Sequence, residues 1–179
     1  PGVIVDYVRD EESGLWEEWY EGSLALVLPR ATRLSVRYHR SDEVYQREDF
    51  DTTGVAAQAS SQLSNRLRLQ GSFSHQDAIY YSADPLPGVS TSATLVMLFQ
   101  PSEQWQIDLR GTYQGFSRAS DGTRLYDYGI YRAKVSYQVN RYLFFRGIAE
   151  YNTYRRQVLT DVLASFTYIP GTVLHAGYG

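Results

Sequence analysis

Arginine carries most of the chemistry in this chain. Its 179 residues include 16 Arg against one Lys, 20 acids, three His and no Cys. A guanidinium is planar, always charged and pairs in a fork with carboxylates and phosphates. Arg37, Arg68, Asp108, Arg110, Arg132, Lys134, Arg146, Glu150 and Asp161 recur at positions that alternate with apolar residues, and His39 and Gln70 fall in the same phase. Such a set can attract anionic solutes or hold a plug. The plainer reading is a ladder of Arg–carboxylate pairs that fills an interior.

Other chemistry is thinly represented. His39, His75 and His175 lie on separate segments, without HxH or HExxH spacing. A Ser–His hydrolase site needs its two residues on neighbouring strands, and His75 with Ser72 or Ser74 is the available combination. Glu17 and Glu21 stand four strand positions apart, roughly 13 Å at ~3.3 Å per residue. A glycosidase pair needs about 5–9.5 Å. The acidic run Asp42-Glu43 to Glu48-Asp49-Asp51 has oxygen ligands, yet neither the spacing nor the turn glycine of a calcium loop. It reads as a solvated surface loop. Without cysteine there is no disulfide scaffold, thiol enzyme or thiolate metal site. The net charge of -3, with no phosphate-binding glycine loop and no basic stripe, argues against nucleic acid. We expect no catalytic residues, no metal site and no cofactor.

The elements that position these residues follow from parity. Leu34, Val36 and Tyr38 alternate with Arg33, Ser35, Arg37 and His39. Residues 66–74, 105–114, 130–139 and 158–168 repeat the pattern, and 15–28, 52–63, 89–100 and 142–153 follow it less cleanly. With partial segments at 2–9 and 172–179, eleven strands are expected, and no segment has a convincing helical period. Tight turns are expected at 29–32, 64–65, 101–103, 140–141 and 170–171, their starts 30 to 39 residues apart. Longer connections are expected at 10–14, 46–51, 81–88 and 119–124, with a short one at 155–157. Pro29, Pro85, Pro87, Pro101 and Pro170 should mark where strands stop, because proline cannot donate to a ladder. Short turns at one end and longer loops at the other describe an antiparallel meander.

Two all-β forms satisfy that pattern. A soluble sheet turns its apolar face to a core, and a transmembrane barrel turns it to lipid. Uninterrupted aliphatic or aromatic runs reach only five residues, against the ~20 of a spanning helix. The strands, at about 10 to 14 residues, suit a tilted bilayer crossing better than the ~5–6 of soluble sheets. Charges that break the apolar phase, Glu18, Arg40, His75 and Asp127, gather near the loop end. Aromatics in that phase form two bands: Tyr20, Tyr38, Phe73, Tyr113 and Tyr151 toward the loops, and Phe99, Trp105, Tyr137 and Tyr168 toward the turns. Two such bands are the girdles of a membrane barrel.

The text of residues 140–179 is the most specific: Asn140-Arg141-Tyr142-Leu143-Phe144-Phe145-Arg146, Glu150-Tyr151-Asn152, Ser165-Phe166-Thr167-Tyr168-Ile169-Pro170-Gly171-Thr172 and Gly177-Tyr178-Gly179. It resembles the end of an uncharacterised, porin-like family of Gram-negative outer-membrane β-barrels, whose members usually carry a family-9-like carbohydrate-binding module ahead of the barrel. The resemblance implies an all-β antiparallel meander forming part of a transmembrane outer-membrane barrel. Residues 1–179 would be one partial domain, its C-terminal portion. The expected role is a non-enzymatic channel, transport or export scaffold. The alternatives are the membrane anchor of a surface carbohydrate-binding protein, or an outer-membrane hydrolase. Expected partners are outer-membrane lipid, further strands from the same or another chain, and other surface proteins or glycans. Bacterial single-chain barrels close with even strand numbers, so an odd number of additional strands is expected, at least one of them after Gly179.

Overall fold

The computed structural model describes residues 2–9, 16–45, 48–82, 85–169 and 171–179. They form eleven strands: β1 (Gly2–Arg9), β2 (Trp16–Leu28), β3 (Thr32–Tyr45), β4 (Glu48–Ser64), β5 (Leu67–Tyr80), β6 (Leu86–Phe99), β7 (Trp105–Arg118), β8 (Arg124–Gln138), β9 (Leu143–Asn152), β10 (Gln157–Ile169) and β11 (Thr172–Tyr178). The strands lie in one sheet in chain order, and every neighbouring pair is antiparallel. The sheet is not closed: among the described residues β1 pairs with β2 and β11 with β10, and no ladder joins β1 to β11.

Turn chemistry explains the hairpins. Arg30 and Ala31 both sit at positive φ, 59° and 49°, and Thr32 N–H donates to the Pro29 carbonyl at 3.2 Å. Two consecutive left-handed residues make the two-residue turn whose twist matches antiparallel strands. Asn140 caps its turn by accepting from Tyr142 and Leu143 N–H at 2.8 and 3.1 Å, and Asn152 does the same for Tyr154 and Arg155.

Two expectations are corrected. Residues 46–51 are not a long loop, since β3 reaches Tyr45, β4 starts at Glu48, and the ladder runs to the pair Tyr45↔Glu48. The acidic run is therefore mostly strand. Arg40 and Asp51 bridge it at 2.7 Å and the Ser41 and Thr52 hydroxyls meet at 2.8 Å. Pro87 lies inside β6, opposite Ile79. It offers no donor, but its carbonyl accepts from Ala119 N–H at 3.0 Å, so the position is tolerated close to the strand start. The connections at 10–14 and the turn residue Pro170 fall outside the described residues.

Among the described residues the sheet has no second layer. Among the described residues only Ile79 and Phe116 are buried hydrophobics, while Leu24, Leu26, Leu34, Val36, Leu95, Leu109, Val158 and Val162 stand exposed. The chain exposes 12625 Å², against roughly 8,900 Å² for a compact monomer of its mass. A sheet normally buries one face against another element, and the described residues supply no such element.

Candidate functional site: the polar face of the sheet

Directly opposed residues share a face, so the register sorts the side chains without further assumption. One face carries Leu24, Leu34, Val36, Ala57, Phe73, Leu95, Leu109, Val135, Ala149 and Val162, with Gly71, Gly111 and Gly147 among them. The opposite face carries all nine charged residues singled out from the sequence: Arg37 on β3, Arg68 on β5, Asp108 and Arg110 on β7, Arg132 and Lys134 on β8, Arg146 and Glu150 on β9, and Asp161 on β10. His39 and Gln70 lie there too.

Some of these charges are paired. Arg37 meets Glu21 at 3.2 Å, Lys134 meets Asp108 at 3.3 Å and Arg146 meets Asp161 at 3.1 Å. Arg68 donates to the Gln62 side chain at 2.8 Å. All are at least partly exposed, so each is worth ~0–1 kcal/mol. Arg110, Arg132 and Glu150 make no ion pair among the described residues. Arg132, Arg146, Glu150 and Asp161 line a hollow of about 390 Å³. Level with Arg110 and one row nearer the loops, β3 to β6 present hydroxyls and amides, with Ser35, Gln58, Ser60, Gln70 and Ser72, beside Arg33, around a hollow of about 350 Å³.

The loop end of the same face is aromatic. Trp19 stacks on His39, centroids 5.1 Å apart and planes within 4°. His39 lies over Gly54, where an added Cβ would come within 2.3 Å of the ring, so only glycine admits this stack. Trp19, His39, Glu43, Thr52, Gln76 and Tyr81 surround a hollow of about 400 Å³. The Tyr81 phenol donates to Glu43 Oε1. That bond and partial burial raise its pKa to about 12. Farther along, Tyr80, Phe116, Tyr126 and Tyr128 form a chain of rings at 5.7, 5.8 and 6.2 Å. Phe116, 3% exposed, rests on Gly88, where a Cβ would fall 2.4 Å from its ring. In the loop after β7, Asp121 accepts from the Thr123 hydroxyl and N–H, and these bonds hold its carboxyl below the ordinary range.

The alternation continues past residue 114 to these aromatics. Phe116, Tyr126 and Tyr128 keep the phase of Gln114 and Ile130, but glycines at 115 and 129 interrupt the apolar signal there.

The weaker candidates separate. Ser74 bonds Ser92 at 2.8 Å on the polar face, while His75 bonds Thr91 at 2.8 Å on the apolar face, so no Ser–His pair forms. Glu21 is held by Arg37, and the side chain of Glu17 lies outside the described residues. No cluster of three His, Asp or Glu suited to a metal occurs among the described residues. The four charges that break the apolar phase near the loops each have a partner: Glu18 with Tyr20, Arg40 with Asp51, His75 with Thr91 and Asp127 with Arg124.

Compared with solved structures, the chain has a distant likeness to the CymD monoaromatic hydrocarbon channel, with 10% identity and a TM-score of 0.37 over 98% of this chain and 71% of that one. No family model and no curated protein matches, and the association with a family-9-like carbohydrate-binding module gains no support.

Proposed function

We propose that this chain is wall of a bacterial outer-membrane β-barrel that serves as a non-enzymatic channel, transport or export scaffold. The observation that carries the reading is one continuous eleven-stranded sheet with an exposed apolar face and an opposite face of charge, hydroxyl and amide. Strands β2 to β8 have 13 to 17 residues, enough to cross a bilayer at a tilt and project beyond it. Lipid covers the apolar face and water fills the other. Arg37, Arg68, Asp108, Arg110, Arg132, Lys134, Arg146, Glu150 and Asp161 then line the lumen. Trp105 and Tyr137, in contact at 4.5 Å, stand at the turn-end interface, with Tyr20, Tyr38 and Tyr151 at the other.

Bare sheet edges cost several kcal/mol per unpaired group in hydrocarbon, so further strands, from the same or another chain, cover the outer edges of β1 and β11. The tight turns face the periplasm and the other connections face outward, as in bacterial barrels generally.

The test is fractionation of the full-length protein from a Gram-negative host. We expect it in the outer membrane, with an electrophoretic mobility in SDS that changes on boiling. Recovery in the soluble fraction without detergent contradicts the reading.

A further inference from the structure

One row of the polar face differs from the rest in how its charges are arranged. The register aligns Arg33, Ser60, Gln70, Val96, Arg110, Arg132 and Glu150 across seven consecutive strands. Arg110 and Arg132 are direct cross-strand partners. Like charges so placed, with Cα atoms about 4.5–5.5 Å apart, destabilise a sheet. Of the acids that could offset them, two are engaged and the third, Glu150, lies opposite Arg132 alone of the two. Asp108 is held by Lys134 at 3.3 Å and Asp161 by Arg146 at 3.1 Å. Glu150 stands on the far side of Arg132 from Arg110 and pairs with neither. Rotation of Glu150 onto Arg132 would still leave Arg110 and Arg33 without an acid.

In the next row, Arg68, Leu98, Asp108, Lys134 and Ile148, Lys134 pairs with Asp108 and Arg68 donates to the Gln62 side chain, and no two cations oppose each other. Among the described residues, Arg110 and Arg132 are the one pair of cations in direct cross-strand opposition. Each guanidinium offers five N–H donors in a fixed fork that fits an oxyanion.

We infer that Arg110 and Arg132 form an anion-binding pair that takes a small oxyanion, a phosphate or carboxylate group, and makes this level of the wall selective for anions. The inference deepens the channel reading and rests on it for the word selective. The binding itself needs only the polar face.

Two measurements on the full-length protein separate those parts. In planar bilayers, reversal potentials in a potassium chloride gradient report the anion-to-cation preference. R110Q/R132Q should lower that preference on the order of threefold to tenfold, and R110K/R132K should restore part of it. An unchanged preference in R110Q/R132Q overturns the inference. In detergent-folded protein, inorganic phosphate should slow phenylglyoxal labelling of Arg110 and Arg132 relative to the turn residue Arg141. Equal labelling rates with and without phosphate overturn it, whether or not current is seen. A protein that fractionates as soluble defeats the barrel reading, and phosphate protection then decides the site alone.

Discussion

The two faces of this sheet obey different rules. On the apolar face the aliphatic side chains stand exposed, and among the described residues the ion pairs, Arg40 with Asp51 and Arg124 with Asp127, lie at its loop end. On the polar face, charges, hydroxyls and rings engage one another across strands: Lys134 with Asp108, Ser74 with Ser92, Trp19 with His39. A face whose aliphatic residues stand exposed relies on its surroundings for cover. A face that links them has to hold itself together in water. Period-two alternation lets one strand serve both requirements.

The polar face is not uniformly weak, and the largest single effect should come from its aromatic chain. Phe116→Ala removes the one nearly buried ring between Tyr80 and Tyr126, and should cost about 3–5 kcal/mol in urea-folding titrations. A cost below about 1 kcal/mol would mean that the rings merely neighbour one another and do not form a small core of their own.

Next come substitutions that set face against face. Leu109→Arg or Val135→Arg on the apolar side should cost about 2–4 kcal/mol in lipid vesicles. Thr112→Arg or Ser136→Arg, on neighbouring rungs of the opposite face, should cost less. The reverse order would exchange the two faces.

The smallest effect concerns Tyr81 at the loop end. Its phenol pKa, raised from 10.0 to about 12 chiefly by the bond to Glu43, makes the neutral form the favoured one in the folded state. That contribution is complete below pH 10 and is lost as the pH rises toward about 12. Tyrosinate absorbance should show one late-titrating group, which E43Q returns toward the ordinary range. A late titration unchanged by E43Q would detach Tyr81 from Glu43.

The strand count, the meander and the tight turns were legible because alternation and turn residues are local properties. Arg33 to His39 and Trp105 to Gln114 announce their faces with no knowledge of a partner. What misled was a hairpin polar on both faces. Asp42, Glu43 and Asp51 read as loop because a hairpin wet on both sides has no reason to alternate, yet its ladder continues to Tyr45↔Glu48. The parity of the charged set was legible. Which of those charges pair was not, since Arg110 opposite Arg132, but Lys134 opposite Asp108, is decided by register between strands. The aromatic chain was hidden for a similar reason: Tyr80, Phe116 and Tyr126 come from three strands.

A barrel wall requires β7 to divide lipid from water. The chain has no cysteine, so single cysteines introduced one at a time from 106 to 114 in the full-length protein give clean labelling sites. With spin labels in lipid vesicles, collision with oxygen should dominate at 107, 109, 111 and 113, and collision with a water-soluble nickel chelate at 106, 108, 110, 112 and 114. Water-soluble quencher reaching both sets equally, or neither set meeting lipid, would contradict the account.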